Sequence, residues 1–357
     1  MKKIKVFLGG YINSSNAQNI NCRSIANHLD KKQFDVFALE LYSGNLPSLP
    51  KNIVKTFTCS YPHRISQYIG FLWGIYQCDI AFLPKSECHK WNKFWVKCLR
   101  KKCFSTIEGI LDDIALNNAV LRAGNKRSVI GRYNNFEHLY SITQYMRNYN
   151  FNNLGIKSLE KILYLGTETE TFINTSKKNN MLKNIILIGN DLVRKGIFDY
   201  LKLAGKHPDL SFHVVGTGNG KIELNHEITK NNLNNVIYHG GKTHEDLIEI
   251  LKNIDLHILP SHSEGFPKVT LETAAAGIPS ILYSDYGASE WIDDHQNGFV
   301  VDTLEQMQLV IDDIRTTPDL LTRTSKNAIE LAKRFDWKTL IKDWEKEIIS
   351  IARSNQN

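Results

Sequence analysis

Short strand-like runs alternate with helix-like segments along almost the whole of this chain, and no other feature constrains its fold as much. "IKVFLGG" leads to "NINCRSIANHLDK" and then "FDVFALEL"; "RISQYIGFLWGIYQ" reads as a helix, "DIAFLP" and "CFSTIEG" as strands. The second half repeats the rhythm. "NIILIGN" precedes "IFDYLKLAGKHP", "LSFHVVGTGNG" follows, "VIYHGG" precedes "HEDLIEILKN", and "DLHILPS" and "IPSILYS" bracket one more helix. Such alternation predicts mostly parallel sheets with helices on both faces. At 357 residues the chain exceeds one ordinary core and suits two. The polar, threonine-rich run "TETETFINTSKKNN" (167–180) marks the boundary. The expected division is a doubly wound domain over 1–170, a second over 171–335, and a closing helix over 336–357 that packs back toward the first. Ligands of such sheets bind outside the carboxyl ends of the strands, so two facing domains predict a cleft there.

Composition excludes several classes. With 42% hydrophobic and 23% charged residues the chain is globular, not disordered. "MKKIKVFLGG" is too short of apolar residues for a signal-peptide core and scans better as a strand. The most apolar window, "YIGFLWGIYQCDIAFLP", is broken by Gln77 and Asp79 and ended by Pro84. It falls short of the roughly 20 residues a spanning helix needs. A cytoplasmic protein is expected. Its six cysteines all lie in the first 103 residues and read as free thiols. Cys88, His89, Cys98 and Cys103 match no paired C-x-x-C spacing, so no metal site is expected.

The net charge of +7 is modest and partly local. "HKWNKFWVKCLRKKC" (89–103) combines Lys90, Lys93, Lys97, Arg100, Lys101 and Lys102 with Trp91, Phe94 and Trp95, and contains no acid. At helical spacing Trp91, Phe94, Trp95, Cys98 and Leu99 share one face. Two readings stay open. Such a helix can lie on an anionic membrane, at the inner face, or it can pack its aromatics into its own domain, the commoner arrangement. Nucleic acid is not an expected partner, because nothing else extends a basic stripe.

The stretch "SEGFPKVTLETAAAGIPSILY" (263–283) carries the chemistry. Pro267 suits the first turn of a helix, since its missing N–H would be unpaired there. The loop from Ser261 to Gly265 therefore ends at a helix N-terminus, whose free N–H groups and partial positive charge favour a phosphate. Glu264 sits before that helix, and Glu272 lies about 7 Å further along it. Two carboxylates so spaced can grip hydroxyls on separate parts of one extended ligand. The plainer alternative is that Glu264 only caps the helix.

This stretch resembles the E-x7-E signature of the retaining glycosyltransferases of group 1 (family 4), enzymes of the GT-B fold that use nucleotide sugars. "YGASEWIDDHQNGFVV" (286–301), "LSFHVVGTGNG", "NVIYHGG" and the late "FDW" are similar to further parts of the family pattern, densest over 183–337. The resemblance implies an α/β, GT-B architecture of two facing Rossmann-like domains around a cleft. It also implies roles. Glu264 would hold hydroxyls of the donor sugar, and Glu272 the ribose. Lys195, in "VRKG", would stabilise the departing diphosphate. Backbone around Gly265, Phe266, Pro267, Lys268 and Val269, the Gly216 turn and the Gly9-Gly10 loop would surround the phosphates, and Gly240 would lie near the base.

Two departures stand out. Where the family has an arginine five residues before that lysine, this chain has Asn190, and Arg194 beside Lys195 is the candidate to replace it. Glu108, at the end of "CFSTIEG", stands where many relatives carry a histidine. It would take the acceptor's proton or stabilise positive charge on the sugar, or else be a solvated residue before Gly109. No D-x-D occurs, so the resemblance implies metal-independent transfer, with no cofactor beyond the donor. The expected partners are a nucleotide sugar and a glycan or lipid-linked glycan acceptor of surface polysaccharide or glycolipid synthesis. A non-catalytic nucleotide-sugar-binding protein and a nucleotide-sugar epimerase are the alternatives. A glycosidase fits less well, because both glutamates come from one helix start. A dehydrogenase fits less well too, because "GTGNG" opens no G-x-G-x-x-G helix.

Overall fold

The computed structural model describes residues 2–84, 90–173, 181–220 and 222–354. The chain forms two compact units, Met1–Gly166 with Trp337–Asn357, and Thr167–Asp336. Unit 1 opens with β1 (Ile4–Tyr11), α1 (Ala17–His28), β2 (Phe34–Leu41), β3 (Lys55–Cys59), α2 (His63–Gln77) and β4 (Ile80–Phe82). It continues with α3 (Lys90–Cys98), β5 (Lys102–Ile107), α4 (Asp113–Ala123), α5 (Lys126–Asn134), β6 (His138–Ser141) and α6 (Gln144–Leu154). Its strands lie in the order β3-β2-β1-β4-β5-β6, all pairs parallel. Crossover helices cover the sheet, which is why its central strands are apolar runs: Val6, Phe7 and Leu8 of β1 and Ile80, Ala81 and Phe82 of β4 are buried.

Unit 2 opens with β7 (Asn184–Ile188), α7 (Ile197–Lys206), β8 (Ser211–Val215), α8 (Leu224–Lys230), β9 (Val236–Gly240) and α9 (His244–Leu251). Then come β10 (Leu256–Leu259), α10 (Lys268–Ala275), β11 (Ser280–Tyr283), β12 (Phe299–Val301), α11 (Leu304–Thr316) and α12 (Pro318–Arg334). The strand order is β12-β11-β10-β7-β8-β9, again all parallel. Counted from its own first strand, this is the topology of unit 1. In each unit the winding direction reverses beside the first strand, between β1 and β4 and between β7 and β10.

The last helix, α13 (Trp337–Arg353), belongs to unit 1. Trp337, Ile341, Trp344, Ile348 and Ile351 form its buried stripe at helical spacing. Trp344 stands edge-on to Phe82, ring centres 5.3 Å apart, and its indole N–H donates to the Tyr164 carbonyl at 3.0 Å. Glu347 accepts from the Tyr140 hydroxyl at 2.7 Å. Each large apolar side chain buried here contributes about 1.5–3 kcal/mol.

The structure departs from the sequence expectations in four places. Unit 2 begins at Thr167, because Thr167 N donates to Phe335 O at 3.1 Å and Thr169 donates through its N–H and hydroxyl to Asp336. Gly9 and Gly10 lie inside β1, not in a loop; a Cβ on Gly10 would stand 2.7 Å from Cys22 Sγ, so α1 packs where a side chain would go. The basic run 89–103 is not one helix. α3 ends at Cys98, the chain turns through Arg100 at φ +49°, and Lys102 and Cys103 open β5. Strands β3, β6 and β12 and helices α4 to α6, α11 and α12 add to the pattern read from sequence; β3 is half polar, as Lys-Thr-Phe-Thr-Cys, and gives a weak apolar signal.

Candidate functional site

Two loops of unit 2 follow the strands that flank its reversal. One runs from the end of β7 to α7, the other from the end of β10 to α10. A doubly wound sheet leaves a crevice at this place, because the loops leave adjacent strands toward opposite faces. Here they are tied together. Gly196, at φ +79°, approaches so closely that a Cβ would lie 1.8 Å from Pro260 O, which only glycine permits. The buried Ser261 hydroxyl donates to Arg194 O at 3.0 Å. Phe266 anchors the second loop, 5.0 Å from the Trp291 ring and 5.3 Å from Phe335.

These ties bring three charged groups to one point. Glu264, only 7% exposed, receives Arg194 Nη1 at 2.9 Å and Lys195 Nζ at 2.8 Å on the same oxygen, Oε1. Arg194 also donates to Ser263 O at 2.9 Å, and about half of its side chain is exposed. Burial lowers the pKa of Lys195, and the Glu264 carboxylate opposes that shift. Glu264 therefore holds two cations in place and is not a helix cap; the N-cap of α10 is Pro267, with no side-chain cap bond. Losing Glu264 would leave the buried Lys195 ammonium uncompensated, at a cost of about 3–5 kcal/mol. Tyr286 completes the surroundings. It is fully buried, its hydroxyl has no hydrogen-bond partner among the described residues, and burial followed by the Glu264 and Asp285 charges pushes its pKa well up.

Past Gly265 and Phe266 the chain enters α10 at Lys268 and Val269, and the Thr270 N–H turns back to Pro267 O at 3.0 Å. Half-buried Glu272 lies on the second turn. Burial raises its pKa, and His244, Lys268 and Lys195 counter the rise, so Lys195 lies within the field of both glutamates. The ends of β8 and β9 form the adjoining rim: Gly216 N donates to Gly240 O at 2.9 Å, and the Tyr238 hydroxyl donates to Gly216 O at 2.9 Å. Beneath the site, buried His257 shares a hydrogen bond with the Ser280 hydroxyl at 2.9 Å, and burial drops its pKa to about 3.

Unit 2 thus gathers Glu264, Lys195, Arg194, Lys268 and Glu272. Asn190 does not join them: it is exposed at the turn after β7, and Arg194 reaches Glu264 instead. In unit 1, Glu108 follows β5 and accepts from the Thr106 hydroxyl at 2.9 Å, while Asn150 clamps the next turn through Gly109 O and Leu111 N. Three contributors escaped the sequence reading. Gly196 was marked only by standing at a helix start, whereas Tyr286 and His244 had no local signal. Cys88 and His89 lie outside the described residues, and among those described no cluster of His, Cys, Asp or Glu could hold a metal ion. Among the described residues no helix is long and apolar enough to cross a membrane.

Comparison with known proteins bears on unit 2 and on the fold. Residues 168–331, nearly all of unit 2, match the family "Glycosyl transferases group 1". Unit 2 is similar to that family, and the chain as a whole has the two-unit α/β GT-B fold. It is 25% identical over 224 residues to an uncharacterized glycosyltransferase of Methanocaldococcus jannaschii, across 60% of this chain and 62% of that protein. It is 26% identical over 179 residues to N,N'-diacetylbacillosaminyl-diphospho-undecaprenol alpha-1,3-N-acetylgalactosaminyltransferase of Campylobacter jejuni, across 46% of each chain. These matches therefore span about half to three-fifths of the relatives' lengths. Among solved structures, Anabaena HepE in complex with UDP and glucose superposes with a TM-score of 0.78 at 16% identity, over 97% of this chain and 100% of that one.

Proposed function

We propose that this protein transfers a glycosyl group from a nucleoside-diphosphate sugar to a hydroxyl of a glycan or lipid-linked glycan, with retention and without a metal ion. The observation that carries this reading is the convergence of Arg194 and Lys195 on Glu264 at the winding reversal of unit 2, beside the N-terminus of α10. A diphosphate placed there would accept charge-assisted hydrogen bonds from both cations and from first-turn N–H groups. Glu264 would then turn to the sugar hydroxyls. Glu272, one turn deeper and near His244, would take the ribose.

In the reaction the bond from the anomeric carbon to the phosphate oxygen breaks, and a bond to the acceptor oxygen forms on the same face. The acceptor's proton passes to the departing phosphate oxygen or to Glu108. Lys195 and Arg194 stabilise the charge that grows on the diphosphate, an effect that is large in a poorly solvated site. The Campylobacter relative, whose name specifies a diphospho-undecaprenol acceptor, supports a lipid-linked acceptor; the reading puts that acceptor at the cytoplasmic face of a membrane, in polysaccharide or glycolipid synthesis.

The test is a panel of nucleoside-diphosphate sugars, following nucleoside diphosphate release with and without acceptor extracts. Release with one donor, lost in Glu264→Gln and Lys195→Ala, is expected. Tight donor binding with no release under any condition would reject transfer in favour of a binding protein.

A further inference from the structure

Helices α2 and α3 of unit 1 pack against each other and leave an apolar face uncovered. On α2, Ile65, Tyr68, Ile69 and Tyr76 are 60%, 52%, 52% and 63% exposed, at spacings that put them on one stripe. On α3 it is Asn92 and Val96 that turn inward, while Trp91 and Phe94 are 53% and 49% exposed and stack edge to face at 6.1 Å. The aromatic side of the basic segment is thus not consumed by its own domain. Isolated exposed apolar residues need no explanation, but a stripe shared by adjacent helices does.

Beside this face lies an open groove of about 980 Å³, lined among others by Lys97, Arg100, Lys101, Lys102 and His138. Lys101 donates to Cys78 O and Lys102 to Ala352 O, so among the described residues these ammonium groups are held by backbone carbonyls. Among the described residues that line the groove, Glu137 is the one acid. Aromatic and aliphatic side chains next to a lysine-rich recess match a bilayer surface, with its acyl boundary and anionic phosphate headgroups. A soluble acidic partner would match the charge and leave the apolar stripe unexplained.

We propose that the α2–α3 face is a docking surface for an anionic lipid bilayer: Trp91, Phe94 and the α2 stripe enter the interface, and the basic groove receives lipid phosphate headgroups. This deepens the lipid-linked acceptor reading by naming the surface that brings the enzyme to its substrate.

The experiment is flotation of the full chain with vesicles of phosphatidylcholine alone and of phosphatidylcholine with phosphatidylglycerol. Trp91→Ser/Phe94→Ser and Lys97→Glu/Arg100→Glu are run alongside the parent, with circular dichroism to verify folding. Flotation only with the anionic vesicles, weakened by salt and reduced at least about tenfold in each folded variant, is expected, since each basic residue near such a surface strengthens binding about fivefold. Donor turnover with a short soluble acceptor should remain unchanged in both variants. Absence of flotation with anionic vesicles, or flotation indifferent to both pairs of substitutions, would overturn the proposal. So would a sedimentation profile in which Trp91→Ser/Phe94→Ser dissolves a dimer, which would assign the face to a second copy. Because flotation needs no donor, it stands or falls separately from glycosyl transfer.

Discussion

The two units share a strand order and differ in what they place where the winding reverses. In unit 2 the flanking loops carry Arg194, Lys195 and Glu264 to one oxygen and are tied by Gly196 and Ser261. In unit 1 the matching strand β1 carries Gly9 and Gly10 just before its last residue, Tyr11, with Cys22 packed against Gly10, while Asn13 and Asn19 bond the neighbouring backbone at Leu41 and Tyr11. Topology supplies a crevice in both cases, and side chains decide what it can hold. Unit 2 has built a compact charged site. Unit 1 instead holds Glu108 after β5, bonded to the Thr106 hydroxyl, and leaves apolar side chains exposed on α2 and α3.

The largest expected effect breaks this comparison if it fails. Glu264→Gln and Lys195→Ala should each lower transfer by at least about 10²-fold, read as nucleoside diphosphate release. Glu108→Gln should cost less; a larger loss there would move the chemical centre to unit 1.

Next comes Gly196→Ala, set against Gly155→Ala. Both glycines have positive φ, but a Cβ on Gly155 meets nothing within 4 Å, whereas on Gly196 it meets Pro260 O. Urea unfolding should show a loss of about 2–4 kcal/mol for Gly196→Ala and about 1 kcal/mol for Gly155→Ala. Equal losses would show that the two unit 2 loops are not held as tightly as their geometry implies.

Glu272→Gln should separate function from stability. The raised pKa of Glu272 means that the folded chain binds this proton more tightly than the unfolded chain does. The stability it contributes is present below pH 4.5 and is lost as pH rises through the folded pKa. Removing the carboxylate should therefore raise the melting temperature at neutral pH, while nucleotide affinity, followed by calorimetry, falls about tenfold.

Acid should weaken unit 2 through its histidines. His213 is depressed to about 4 and His257 to about 3, both chiefly by burial. Groups with lowered pKa contribute stability above pH 6.5 that is lost as pH falls toward 4 and 3. Melting temperatures taken from pH 7 downward should fall through that window, and a His213→Gln/His257→Asn variant should flatten the slope. The smallest effect is expected of Asn190→Arg: a few-fold gain in donor affinity, because Arg194 already bonds Glu264 and an added guanidinium at this exposed turn would be screened.

Much of this molecule was legible in its residues. Alternating periodicity gave both sheets, because strand and helix patterns are local and parallel strands must be joined by crossovers. The run from Ser263 to Gly277 disclosed a loop entering a helix with two carboxylates, since the proline and small residues act on their own backbone. Helices α4 to α6 were not read, as their apolar faces are weak, and the dividing point shifted because Thr167 and Thr169 bond residues more than 160 positions away.

What sequence alone determined, then, is the order of elements and the residue types at the ends of the strands. Only the tertiary structure decided that Arg194 and not Asn190 meets Glu264, that unit 2 begins at Thr167, and that the aromatic side of α3 faces outward. The physical reason is the same in each case. Helical periodicity says which side chains share a face, whereas the direction of that face depends on partners remote in sequence: Asn92 and Val96 were the better fit to the interior of unit 1, so Trp91 and Phe94 were left outside.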